Sequence, residues 1–266
     1  MSVVIARVRV LLPALGAVLI VVGTLADAVV PTVVGFATLV IGMACYFVLG
    51  AVRAEPVRVR LPVSGRWVAV NSPANRVPSH GLHAYGQTYA LDLVHEPGDP
   101  PRPSFGSGHG FRRPAEFPAF GQPVLAPADG VVVRVHDRQR DHRSRNSWPG
   151  LVWLLVEGSA RELLGPSRLL GNHVVLDLGA GVYAALAHLR RGSVRVAVGD
   201  AVRAGERLAG CGNSGNSTEP HLHVQLMDHP RVLVAAGLPV TFETYEVDGR
   251  RCTGVPANGE PFVVPE

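Results

Sequence analysis

Lysine is absent from this chain: across 266 residues, all 25 basic side chains are arginine. That excludes chemistry that needs a lysine amine, namely Schiff-base formation, the phosphate-binding lysine of a P-loop, and lipoyl or biotinyl attachment. Cysteine is scarce as well. Cys45, Cys211 and Cys252 lack the paired spacing of a structural zinc site. Cys211 and Cys252 could join in an oxidising compartment, but two buried thiols are the simpler expectation. The net charge of +4 is modest, and the arginines are scattered rather than gathered in a stripe beside aromatic rings, so a nucleic-acid partner is not expected. An anionic wall or lipid surface suits the same charge. What is plentiful is apolar: 47% of the residues, enough for a sizeable core and far from the composition of a disordered chain.

From Val10 to Val52 the only charged residue is Asp27. A membrane span needs about 20 apolar residues, so the stretch has room for two helices, expected at Val10 to Leu25 and Pro31 to Val52 with Ala26, Asp27 and Ala28 in the turn. A competing reading takes Arg7 and Arg9 as the start of a signal peptide cleaved at Ala26-Asp27-Ala28; the second apolar run that follows at once argues against it. Residues 1–60 are therefore expected to be a membrane anchor of one or two helices, and 61–266 the functional domain. Arg7 and Arg9 precede the hairpin while Arg53, Arg58 and Arg60 follow it, which by the positive-inside rule puts both ends in the cytoplasm.

After Leu61 the sequence turns to short β-branched runs separated by Gly, Pro and Asn, the pattern of an all-β domain. Strands are expected at Trp67 to Val70, Thr88 to Val94, Gly130 to Val135, His173 to Leu178, Val182 to His188 and His221 to Met227. Two insertions interrupt them. Glu96 to Phe120 reads as a surface loop, and Asp137 to Leu170 as an Arg-rich polar piece with a short helix around Ser159 to Leu164.

His221-Leu222-His223 opens one of these strands, and side chains two apart on a strand share a face. Asp92 sits among apolar residues on another, where a carboxylate is costly unless it is paired or bound to a metal. His80 and His83 lie upstream of it, and His188 ends the strand GVYAALAHL. Two His and one Asp with an open fourth position suit a catalytic zinc, and one further His can handle protons.

The segments SHGLHAYGQTYALDL, GQPVLAPADGVVVRV, GNHVVLDLGAGVYAALAHL and GSVRVAVGDAVRAGERLAGCGNSGNSTEPHLHVQL together resemble, in order and spacing, the lysostaphin-type or LytM-like metallopeptidases. The likeness covers roughly Arg66 to Met227. It implies a mostly antiparallel β-sandwich of the duplicated-hybrid-motif type, following the transmembrane hairpin, and hydrolysis of amide bonds in peptidoglycan peptides. It implies Zn2+ held by His80, Asp92 and His223, with His188 and His221 lining the site as catalytic residues. The commonest pattern of that family has its first His four positions before the Asp, whereas His80 is twelve before Asp92 and His83 nine. A loop containing Ala84 to Gln87 must then fold back; His80 is preferred as the ligand, with His83 as alternative.

A wall hydrolase in the cell membrane acts outside, with its domain extracytoplasmic, which conflicts with the arginine distribution. Either one apolar run does not span, or the bias is overridden, or the substrate is not the wall. A non-catalytic LytM-like module that binds wall or regulates a partner hydrolase is the main alternative. A biotinyl or lipoyl carrier, suggested by PADGVV and GDAVRAGERL, fails for want of lysine. His95, His109, His136, His142 and His229 are expected to be solvated, and His173 to pack beside the cleft.

Overall fold

The computed structural model describes residues 4–5, 8–9, 11–47, 51–99, 101–107, 110–163 and 165–265. Arg7, Val10, His109 and Leu164, each invoked above, lie outside the described residues. Two apolar helices come first, α1 (Leu11–Leu25) and α2 (Val29–Phe47), joined through Ala26, Asp27 and Ala28. They pack together at Gly16 and Gly35, where a Cβ added to either residue would meet opposing backbone at 2.7 Å. Small residues allow that close approach, as in membrane helix pairs. At 19 residues α2 has the length and composition to cross a bilayer; α1, at 15, is shorter.

The β structure begins at Val57. In chain order its strands are β1 (Val57–Val59), β2 (Gly65–Val70), β3 (Leu91–His95), β4 (Pro123–Leu125), β5 (Gly130–His136), β6 (Asn172–Asp177), β7 (Tyr183–Leu189), β8 (Ala201–Val202), β9 (Arg207–Gly210), β10 (Leu222–Met227), β11 (Gly237–Leu238), β12 (Val240–Val247), β13 (Arg250–Gly254) and β14 (Pro261–Val264). Twelve of them form one sheet in the order β1-β12-β14-β2-β3-β10-β7-β6-β5-β8, with β11 beside β10 and β13 beside β12. Its pairs are antiparallel except β1 with β12. β4 and β9 pair separately.

Alternation along the central strands sorts their side chains between two clusters. Leu91, Leu93, Leu186, Leu222, Val224 and Leu226 enter the main core with Trp67, Phe242, Phe262 and residues of β4 and β9. Asp92, Ala185, Ala187, His223 and Gln225 must then face the other way. Ala185, Ala187 and Met227 do so, in a second cluster with Ala84, Tyr85 and Val232. The functional side of the sheet is thus set by which residues of each strand are large and apolar.

The expected strands are all present, with starts or ends shifted by a few residues, and the largest shift has a local cause. Thr88 to Ala90 are not strand, because Ala84–Tyr89 form a 3-10 segment containing left-handed Tyr85 (φ 59°) and Gly86 (φ 73°). The first insertion has no strand or α-helix among its described residues, only a 3-10 turn at Pro114–Glu116. The second departs from expectation. Its helix α3 (Trp148–Leu163) starts eleven residues before Ser159 and contains the apolar run Trp153 to Val156, and α4 (Pro166–Leu170) follows. All three cysteines are free, with Cys211 buried and Cys252 half-buried.

Candidate metal centre

Three adjacent strands bring the site together. Asp92 on β3 is directly opposite His223 on β10, and His223 is opposite Ala187 on β7. His221 shares the face of His223. Strict alternation would send His188 into the main core, since it follows Ala187. A bulge prevents this: Leu186 pairs with Val174 and Leu189 with Asn172, so Ala187 and His188 together oppose His173. His188 takes φ 60° at that point, and both residues fall on the site side. Its ring centre is 4.8 Å from that of His221 and 5.7 Å from that of His223.

His80 arrives from the loop before β3. The left-handed pair Tyr85 and Gly86 turns the chain, and His80 Nε2 comes to 3.0 Å from Asp92 Oδ2, with His223 Nδ1 2.9 Å from Oδ1. His80, Asp92 and His223 offer ligand atoms within 4.8 Å of one another. His83 is directed elsewhere, its Nδ1 3.1 Å from the Thr88 hydroxyl.

The hydrogen-bond network tests whether a cation fits. The Gln225 amide donates through Nε2 to the Tyr85 carbonyl at 2.8 Å, which turns Oε1 towards His223 Nε2 at 2.9 Å. A carbonyl oxygen only accepts, so His223 carries its proton on Nε2 and presents the Nδ1 lone pair to Asp92. Ser79 Oγ donates to the Gln87 carbonyl and accepts from His80 Nδ1 at 3.0 Å, which leaves the His80 Nε2 lone pair facing Asp92 as well. Two ring nitrogens and a carboxylate, all acceptors, thus converge on one point. A cation there resolves their repulsion, and the donor set is that of a zinc site. Gln225 is the residue that sequence reading missed, although its place two beyond His223 on the same strand face marks it. Gln225→Leu is expected to weaken zinc binding about 10–100-fold without unfolding the chain, measured by competition with a chelating dye.

His188 and His221 are held differently. His188 Nδ1 donates to the Ser214 carbonyl at 2.9 Å and His221 Nδ1 to the Glu219 carbonyl at 2.7 Å, so each keeps Nε2 for proton exchange. Burial would lower His221, but the Asp92 charge outweighs it and the ring is raised. Burial, with the charge of His221, holds His188 well below its ordinary value. Both supporting carbonyls belong to the Gly/Asn/Ser loop, which the insertions hold in place. Asp141 accepts from Asn213 N–H at 2.8 Å, Arg145 N–H donates to the Thr218 carbonyl at 2.5 Å, and the Glu219 carboxylate is bound by Arg102 and Asn146.

The four described histidines that were expected to be solvated are all at least half-buried, which corrects the sequence reading. His142 is buried rather than solvated, with ring nitrogens facing the carbonyls of Arg143 and Gly215 at 2.8 and 2.9 Å. His136 lies stacked on His173, their ring centres 5.7 Å apart. His95 packs on Trp67, and His229 is half-buried. His173 does pack beside the site, and burial lowers it from 6.5 to about 4. Between those two values the unfolded chain binds a proton that the folded chain refuses. The stability that neutral His173 contributes is therefore present above about pH 6.5 and lost as pH falls towards 4, to the order of 3 kcal/mol. His173→Gln is expected to shrink the drop in melting temperature between about pH 7.5 and pH 4.5.

Residues 115–234 match the model of peptidase family M23. The match covers less than half of the chain, and its family is the one that the lysostaphin-type motifs resemble. The segment contains His188, His221 and His223 and starts after His80 and Asp92. Among solved structures the chain is similar to the catalytic domain of the antimicrobial peptidase lysostaphin from Staphylococcus simulans, at 21% identity over 59% of this chain and 76% of that one, TM-score 0.33. It is similar also to a mutant catalytic domain of the prophage-encoded M23 protein EnpA from Enterococcus faecalis, at 21% identity over 52% and 85%, TM-score 0.30. A third is a zinc containing peptidase from Vibrio cholerae, at 20% identity over 68% and 38%, TM-score 0.31. No curated protein matches the chain.

Proposed function

We propose that the chain is a membrane-anchored zinc metalloendopeptidase that hydrolyses amide bonds in the peptide part of bacterial peptidoglycan. The observation that carries this reading is the convergence of His80 Nε2, His223 Nδ1 and both Asp92 oxygens in tautomers that call for a cation. Zinc, when bound there, supplies a Lewis acid and an activated water at neutral pH. His80, Asp92 and His223 would hold it. His221 and His188, each with Nδ1 fixed on a carbonyl, would use Nε2 to take a proton from the nucleophile, stabilise charge on the substrate carbonyl oxygen and return a proton to the leaving amine. No serine or cysteine nucleophile is required.

The two sheets with a shared core are read as the duplicated-hybrid-motif β-sandwich of lysostaphin-type enzymes. Residues 1–60 are read as the anchor, with α1 and α2 as the transmembrane hairpin, and 61–266 as the metallopeptidase domain on the outer face of the cell membrane. The alternative, a non-catalytic module that binds wall or regulates a hydrolase, has no need of the filled ligand positions. The test incubates the detergent-solubilised full chain with purified peptidoglycan. Release of new amino groups without new reducing sugar ends, abolished by a zinc chelator and restored by zinc, supports the endopeptidase. Binding to the wall with no new amino groups would favour the module.

A further inference from the structure

Helix α3 leaves much of its apolar surface exposed and turns two of its charges inward. A surface helix ordinarily packs its apolar stripe inward and shows its charges to water. On α3, Glu157 and Arg161 face the domain: Glu157 Oε2 accepts from Arg145 Nη2 at 2.6 Å and lies 3.5 Å from Arg161 Nη2. Both line a cavity of about 770 Å³ whose wall also includes Arg138, Arg140 and Arg168. The opposite side carries Trp148, Val152, Trp153 and Val156, between 51% and 74% exposed. At 100° per residue, these four fall within one half of the helix circumference. Phe105, itself 48% exposed, meets Trp148 edge-on and extends the patch.

The position of the helix says what covers that patch. Glu162, near its end, accepts from the Tyr85 hydroxyl, and the Tyr85 ring meets Tyr46 of α2 edge-on at 6.2 Å. His83 N–H donates to the Tyr46 carbonyl at 2.7 Å. α3 therefore lies beside the point where α2 joins the domain. Exposed tryptophan and aliphatic side chains beside the end of a membrane helix match the bilayer interface, where indole rings sit at the level of the headgroups. We propose that α3 is an interfacial helix, docked on the same bilayer that α1 and α2 enter. It seats the domain, and with it the metal centre, against the membrane surface. This rests on the reading of α1 and α2 as a membrane anchor.

The chain has three tryptophans, and Trp67 is fully buried in the core, which provides an internal control. The full chain is reconstituted into phosphatidylcholine and phosphatidylglycerol vesicles whose acyl chains carry bromine near the glycerol end. Flotation of the vesicles in alkaline carbonate reports the anchor, and tryptophan emission reports α3. The expected result is flotation with about half of the emission quenched, and almost no quenching in the Trp148→Phe, Trp153→Phe double variant. A chain that does not float overturns the anchor reading itself. A chain that floats with its emission unquenched overturns the docking of α3 alone; shielding of the same tryptophans from acrylamide would then assign the face to a second copy of the chain.

Discussion

Asp92→Ala is expected to reduce bound zinc from about one per chain to background and to lower peptide hydrolysis by at least about 10³-fold. No other side chain in the site has as many partners. Oδ2 accepts from Asn71 Nδ2 at 2.9 Å and faces His80 at 3.0 Å, while Oδ1 faces His223 at 2.9 Å and His221 at 3.5 Å. Without the carboxylate, three imidazoles converge in a buried space with no negative charge to hold a cation among them, and a divalent ion there would meet a large desolvation cost. Asp92→Asn separates charge from shape. It keeps the volume and an acceptor oxygen but turns an N–H towards a ring nitrogen, so zinc should be lost almost as completely while the circular dichroism spectrum stays that of the parent. Zinc analysis after dialysis, beside amine release from peptidoglycan, reads both effects.

His221→Ala and His188→Ala are expected to give the opposite dissociation: zinc retained, and hydrolysis reduced by about 10²–10⁴-fold. Neither ring belongs to the group whose ligand atoms lie within 4.8 Å of one another, and both have Nδ1 committed to backbone carbonyls of the Gly/Asn/Ser loop. Their remaining nitrogen is therefore suited to moving a proton. The loss should fall on kcat at saturating substrate, measured on a soluble wall peptide. A variant that lost zinc and rate together would move His221 or His188 into the ligand set.

Of the candidate site, His221, His223 and Asp92 were legible in the sequence because strand alternation makes the two histidines neighbours and Asp92 an anomaly among leucines; the set of five with His80 and His188 came from the resemblance to lysostaphin-type enzymes. The backbone devices that complete it were not. Nothing in AALAHL announces a bulge at Ala187 and His188, since it depends on the register against β6. The choice between His80 and His83 depended on the turn at Tyr85 and Gly86, and a left-handed tyrosine has no sequence signature. Gln225 was passed over because a lone glutamine carries little meaning until the Tyr85 carbonyl fixes its amide. The first eleven residues of the 148–163 helix escaped because Trp148, Leu151 and the run Val152 to Val156 spread around most of its circumference, so no single apolar stripe stood out. Strands β1, β4, β8, β9 and β11 are two to four residues long, too short for alternation to show.

The central claim, that His80, Asp92 and His223 form a zinc centre, is tested most directly by metal analysis of the purified full chain beside His223→Ala. The account predicts about one zinc per chain in the parent and none above background in the variant, with both proteins folded. Equal zinc in the two proteins, or none in a folded parent supplied with zinc, would contradict it.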